Sequence, residues 1–261
     1  MFELFSMSLR EYWTEMGDEN TDVEHSISEL QEVLSDHYGK AVSWEEPELD
    51  PSKSDEEISV DVIDDMQLAS LHAVAAKLEL DGNLKDFEFD PEQPWDAPVF
   101  ERLEDEVLDE ASGKDVERFN HLLSIGNSFE FICLPIDLPF VSQINISNDE
   151  EDGEDEEEHH CECGEDDCCC EQDDGSIDIS STVGLRRELD DIAKILEIDT
   201  SINIDETDVD FDDNDPYRNA KFGWYILSAK LNEAIEAKMP LIIRFNDEDD
   251  DFDDDMDEDE E

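Results

Sequence analysis

Basic residues are what this chain most lacks. Its 261 positions hold 16 Lys and Arg against 81 Asp and Glu, a formal net charge of −65. Arg186–Arg187 is the only adjacent basic pair. Direct nucleic-acid binding is excluded on that ground, because counterion release requires clustered cations. Long apolar runs are missing too. None approaches the roughly 18 residues of a membrane span, so no membrane segment is expected. The opening MFELFSMSLREY has neither the positive n-region nor the unbroken apolar core of a secretory signal, and a cytoplasmic chain is expected. In a reducing cytoplasm disulfides are rare.

Catalytic signatures are likewise absent: there is no G-x-S-x-G elbow, P-loop, G-x-G-x-x-G or H-E-x-x-H. Carboxylate pairs occur throughout and therefore discriminate nothing. An active acid needs burial to tune its pKa, whereas acids in runs are solvated. The expectation is a protein without catalytic function. No internal repeat is visible either, which argues against a solenoid.

What the chain has in abundance is acid, and the acid comes in blocks. Residues 149–174 hold 16 acids, residues 202–216 hold 7 and residues 246–261 hold 13, with no Lys or Arg in any of the three. Blocks of like charge without apolar periodicity read as disordered and self-repelling. Halophilic adaptation is the competing reading, although it spreads carboxylate over a whole surface instead of massing it in blocks. The expected organisation is a globular part in two sections, 1–147 and 176–245, interrupted by an acidic insertion at 148–175 and followed by an acidic tail at 246–261. Residues 176–245 alone offer too thin a core, so the two sections are expected to fold together as a single domain.

Periodicity sets the fold class. Val23, Ile27, Leu30, Leu34 and Tyr38 predict an amphipathic helix over 22–38. Residues 41–60 read as a polar loop. Asp64–Leu80 reads as a nearly all-apolar helix closed by Asp81–Gly82–Asn83. Further helices are expected at about 96–110, with Pro98 in the first turn, and at 115–125. Alternation at SFEFIC, residues 128–133, predicts a strand, and 140–146 a second one. Ser180–Ser181–Thr182 is N-cap chemistry for a helix to about Glu197, with Arg186 pairing to Asp190 and Arg187 to Asp191. Ala220, Trp224, Leu227, Leu231 and Ile235 mark the inner stripe of a helix over 216–238, and LIIRF, residues 241–245, a last strand. The class is α+β, helix-dominated, with a small sheet.

Candidate chemistry concentrates in HHCECGEDDCCC, residues 159–170, which holds five of the six cysteines. Cys161-x-Cys163 and Cys168–Cys169–Cys170 lack the separated arms of a structural zinc site. They resemble soft-metal clustering, suited to Cu(I) or loosely held Zn(II), with His159 and His160 as borderline ligands. The surrounding carboxylates disfavour thiolate yet attract divalent cations. The competing reading is compositional drift in a disordered loop. A disulfide knot is opposed by the odd number of cysteines. Cys133 reads as a buried small hydrophobe, and His72 and His121 as satisfied core or boundary histidines. Asp208, Asp210 and Asp212 open like an EF-hand loop, but Asp213 and Asn219 stand where that loop needs Gly and Glu.

Two functions follow from the residues. The first is an acidic interaction protein that binds a basic protein partner, as an inhibitor or immunity-type protein, a polyanion mimic or a chaperone of a basic protein. The second is a metal-handling protein built on His159, His160, Cys161, Cys163, Cys168, Cys169 and Cys170.

Overall fold

A computed structural model describes residues 1–16, 23–45, 47, 59–87, 89–108, 114–145, 176–202, 212 and 214–246. Six short strands form one mixed sheet in the order β2-β1-β6-β3-β5-β4. They are β1 (Phe2–Ser6), β2 (Val60–Ile63), β3 (Glu130–Leu134), β4 (Ser142–Asn145), β5 (Ser176–Ser181) and β6 (Leu241–Phe245). β3 and β5 run parallel, and the other neighbours are antiparallel. Because side chains alternate across a strand, each central strand feeds two cores. Leu4, Phe131, Cys133, Leu241 and Ile243 face one. Phe5, Ile132, Leu134, Ile179 and Ile242 face the other.

Helices cover both faces. α1 (Leu9–Met16) and α2 (Val23–Tyr38) close the second core through Leu9, Tyr12, Ile27, Leu30 and Leu34. α3 (Asp65–Asp81), α5 (Asn120–Leu123), α6 (Thr182–Ile195) and α7 (Arg218–Ala237) close the first. Outside α3, a 3-10 turn (Pro94–Asp96) leads into α4 (Pro98–Leu103) and a π turn (Glu104–Leu108). Val99, Leu103 and Val107 pack there on Ala73 and Ala76. The α+β expectation therefore holds. One sheet draws β1 to β4 from the first section and β5 and β6 from the second, which joins the two around common cores.

Local chemistry explains the boundaries. Asp64 caps α3 by accepting from the Gln67 amide, and the Gln67 side chain returns the bond to the Asp64 amide. That reciprocal box satisfies two orphan donors. Gly82 ends α3 in the left-handed conformation, φ 69°, where a Cβ would be strained. Ser181 caps α6 through Gly184. Trp224 is buried on α7 and donates its Nε1–H to the Leu189 carbonyl at 2.7 Å.

Several expectations need correction. The helix expected over 96–110 is divided among the 3-10 turn, α4 and the π turn. Val99, Leu103 and Val107 still face inward at steps of four across α4 and the π turn. The helix expected over 115–125 contracts to Asn120–Leu123, because the Glu79 carboxylate gathers the amides of Glu117, Arg118 and Phe119 at 2.9–3.0 Å and holds them as a turn. Val60 opens β2 where a loop was expected, and β1, α1 and β5 had not been anticipated. Ile235, expected on the inner stripe, is 38% exposed, while Leu231 and Ala234 beside it are fully buried. Arg186 does pair with Asp190, but Arg187 pairs with Asp137 at 2.7 Å, and Asp191 takes Arg118 and Lys194 instead. The insertion at 148–175 and the tail beyond Asn246 lie outside the described residues.

Candidate partner-binding surface

α2 shows how the fold sorts its charge. Ile27, Leu30 and Leu34 are buried, and the opposite face carries Glu29, Glu32 and Asp36, all exposed. At 100° per residue these three fall within a stripe about 60° wide and about 10 Å long. None of them makes an ion pair among the described residues. Glu24, one turn earlier, is held by Arg10 at 2.6 Å. The stripe's linear charge density is of the order of a DNA strand's, which carries one charge per ~3.4 Å. A second acidic face lies on α4 and the π turn, where Glu101, Glu104 and Asp105 point outward, opposite Leu103 and Val107.

The scarce cations are engaged by the chain's own carboxylates. Among the described residues at least ten basic side chains sit on carboxylates of the same chain. Asp81 takes both Arg102 and Lys77, and hydrogen bonds from those two cations hold its carboxyl down to about 2. Arg244 pairs with Glu3 across β6 and β1. The Lys230 side chain is fully buried on Ser59, Asp61 and Glu233. A groove of about 890 Å³ beside Trp44, Ile136 and Val183 contains Arg186 and Arg187, each already held by a carboxylate. What faces solvent is therefore a surplus of carboxylate.

One buried polar cluster stands apart from this surface. The Glu188 carboxylate accepts the His121 amide at 3.0 Å and the Leu122 amide at 2.7 Å. Burial pushes its pKa up to about 8, against the pull of those two donors. The His121 ring lies 2.9 Å from Ser180 Oγ and also bonds the Leu138 backbone, and burial lowers its pKa to about 4. It is the satisfied core histidine expected. His72 is not fully satisfied: its ring bonds the Leu122 backbone, but its buried Nε2 has no partner, and burial lowers its pKa to about 4. Cys133 is buried, as expected, and burial pushes its thiol up to about 12, which leaves it inert as a nucleophile at neutral pH. The cluster pins α5 to α6 and offers no reacting group to solvent. Nothing in the residue pattern singled out Glu188 or Glu79, because a carboxylate that collects backbone amides looks like any other acid in a chain so rich in them.

His159, His160, Cys161, Cys163, Cys168, Cys169 and Cys170 all lie outside the described residues. Among the described residues no group of three or more His, Cys, Asp or Glu is arranged to hold a metal ion. Of the EF-hand-like acids, Asp212 is described, and it caps the Asn214 amide. No helix among the described residues is long and apolar enough to cross a membrane.

Fold and surface together define a class: an acidic α+β protein whose cations tie its own elements together while its free charge is carboxylate turned outward. The family model described as "Putative DNA-mimic protein" matches residues 6–243, and the chain belongs to that family. No curated protein and no solved structure matches the chain.

Proposed function

We propose that the protein acts as a polyanion mimic, presenting carboxylates to a DNA-binding protein in place of DNA phosphates. Membership of the DNA-mimic family across residues 6–243 is the observation that carries this reading. The stripe Glu29, Glu32 and Asp36, which makes no ion pair among the described residues, supports it, as does the pairing of the cations with the chain's own carboxylates. Of the roles open to an acidic interaction protein, competition with DNA fits best, and catalysis has no part in it. Attraction between a polyanion and a basic surface speeds encounter and is screened by salt. The acidic blocks at 149–174 and 246–261 extend the same charge beyond the described surface. The test uses the full chain to recover partners from native extract, then challenges each complex with duplex DNA and rising salt. Release by both is expected. A complex that resists competing DNA, or holds equally at low and high salt, overturns the reading.

A second proposal concerns the His159–Cys170 cluster, which the sequence alone supports: it takes up Zn(II) or Cu(I). Elemental analysis of untagged protein decides it. A stoichiometric soft metal supports the proposal, and its absence removes it.

A further inference from the structure

β3 and β5, the parallel pair of the sheet, leave it at the same end, since Leu134 pairs with Ser181 in their last shared register. Beyond that point the two chains part. From β3 the chain runs through Pro135, and Ile136 and Leu138 pack on the second core. From β5 it enters α6, whose Leu185, Leu189 and Ile192 pack on the first. The Ser181 hydroxyl donates to the Ile136 carbonyl at 2.5 Å and ties the two exits together. Adjacent parallel strands whose exits turn to opposite faces leave a crevice between them, and open α/β sheets bind ligands at such a point. Here the crevice is the groove of about 890 Å³, with Pro135 and Ile136 from one exit and Thr182 and Val183 from the other among its lining. Small-molecule sites span about 300–1,000 Å³.

The lining departs from the rest of the chain in charge. It holds three cations, Arg186, Arg187 and Lys238, to one acid, Glu45, in a chain of 81 acids and 16 bases. Arg186 is committed to structure, because Asp190, Ser228 and Asn232 take its donors. Arg187 gives one bond, to Asp137 at 2.7 Å, and a guanidinium carries more N–H donors than that. Lys238 is exposed and makes no ion pair among the described residues. The remaining walls are mainly apolar, from Trp44, Pro135, Ile136, Val183 and Ile235. Ile235 belongs to the apolar periodicity of α7 yet is 38% exposed, and its place in this wall gives that exposure a use.

We propose that this groove binds a small organic molecule with an apolar body and a single carboxylate. Lys238 and the unused N–H groups of Arg187 receive the carboxylate, and the apolar walls take the body. A second negative charge on the ligand is disfavoured, because Glu45 and Asp137 stand by the same cations. A cationic ligand is disfavoured by Lys238 and Arg187 themselves. The net charge of −65 does not decide the matter, since at physiological salt exposed charges beyond about 8 Å are largely screened. The proposal does not draw on the polyanion-mimic reading and stands or falls apart from it.

The test is equilibrium dialysis of the full chain against cinnamate, cinnamyl alcohol and protonated cinnamylamine, which share one apolar body and differ in charge. Saturable binding of cinnamate is expected, about tenfold tighter than the alcohol, as one hydrogen-bonded contact between charged groups supplies. The amine should bind weakest, although the overall charge of the protein would by itself favour it. Lys238→Gln should bring cinnamate down to the affinity of the alcohol and leave the alcohol unchanged. Ile235→Ser, in the apolar wall, should weaken both alike. Lys194→Gln, an exposed lysine further along α6, should change neither. Lys238 and Ile235 are both exposed, so urea midpoints of the variants should match that of the intact protein. An amine that binds as tightly as cinnamate overturns the proposal. So does a cinnamate advantage that survives Lys238→Gln or falls equally with Lys194→Gln, and so does the absence of saturable binding. A dimer of the intact protein that Ile235→Ser converts to monomer assigns the groove to a second copy of the chain and overturns it too.

Discussion

Gly184→Ala should destabilise the protein by about 3 kcal/mol, although it replaces a glycine inside a helix with the best helix former. A Cβ at Gly184 would lie 2.1 Å from His121 Nε2, 2.4 Å from Cδ2 and 2.8 Å from Cε1. The ring cannot simply swing aside. It is buried, one nitrogen is 2.9 Å from Ser180 Oγ, and the ring also bonds the Leu138 backbone. Overpacking a filled core costs about 1–3 kcal/mol. Displacing the ring breaks its hydrogen bonds and leaves buried polar groups unpaired, at about 1–3 kcal/mol each. Helix propensity returns at most about 1 kcal/mol. Urea melts read the loss as a fall in midpoint at constant slope. The decisive arm is the same change in a His121→Ala background, where the clash is gone and Gly184→Ala should cost nearly nothing. A loss below about 1 kcal/mol in the first background, or equal losses in both, refutes the reasoning.

Trp224→Ala should cost about 3–5 kcal/mol, since it empties a core site and removes the indole's hydrogen bond to the Leu189 carbonyl. Equilibrium melts check it, and a loss under about 1 kcal/mol would place the indole outside the core. Glu188 gives a pH signature. Its folded pKa is raised to about 8 from 4.5, so the folded state binds the extra proton between those values. Its contribution to stability is complete below pH 4.5 and is lost as pH rises through about 8. Wild type should therefore weaken between pH 6 and 9 more than Glu188→Gln does, and parallel profiles would contradict the raised pKa. The histidines act in the opposite sense: with folded values lowered to about 4 from 6.5, His72 and His121 remove stability as pH falls from 6.5 towards 4. Neutralising Glu29, Glu32 and Asp36 together, as Gln, Gln and Asn, should weaken binding of a DNA-competed partner about tenfold and leave the melting midpoint unchanged or slightly higher, because like charges at helical spacing repel. Undiminished binding would move the interface off α2.

Much of the helical layer was legible because it rests on long, one-sided periodicity. α2, α6 and α7 each carry an apolar stripe, α3 is apolar nearly all round, and Asp64, Gly82 and Ser181 mark helix ends by capping. The strands were harder. VDVI and FELFS are too short for alternation to stand out, and β2 owes its place to pairing with β1 and to Lys230 reaching Asp61 and Ser59 from α7. Helix lengths failed where a distant carboxylate intervened, as Glu79 did at residues 117–119. The exposure of Phe129 was hidden for a related reason. SFEFIC read as one strand from Ser128, but β3 begins at Glu130, which leaves Phe129 outside the ladder and half exposed. No local pattern brings Asn145, Ser176 and Asn246 to one end of a sheet; only the strand order does.

The economy of positive charge connects fold to function. A chain with 81 acids repels itself, and its 16 bases cannot neutralise that repulsion. They are placed where repulsion would separate packed elements: Arg10 joins α1 to α2, Arg102 joins α4 to α3, Lys230 joins α7 to β2, and Arg244 joins β6 to β1. The more exposed of these, such as Arg102–Asp81, contribute only about 0–1 kcal/mol, and the apolar cores on both faces of the sheet carry the stability. The pairs serve chiefly to relieve local repulsion. Added salt then acts in opposite directions on the two properties. Screening relaxes the self-repulsion of the folded chain and also weakens its hold on a basic partner. A protein organised in this way gives up partner affinity under the same ionic conditions that make its own fold more secure. That is the physical behaviour expected of a scaffold whose charge is directed at another molecule and not at itself.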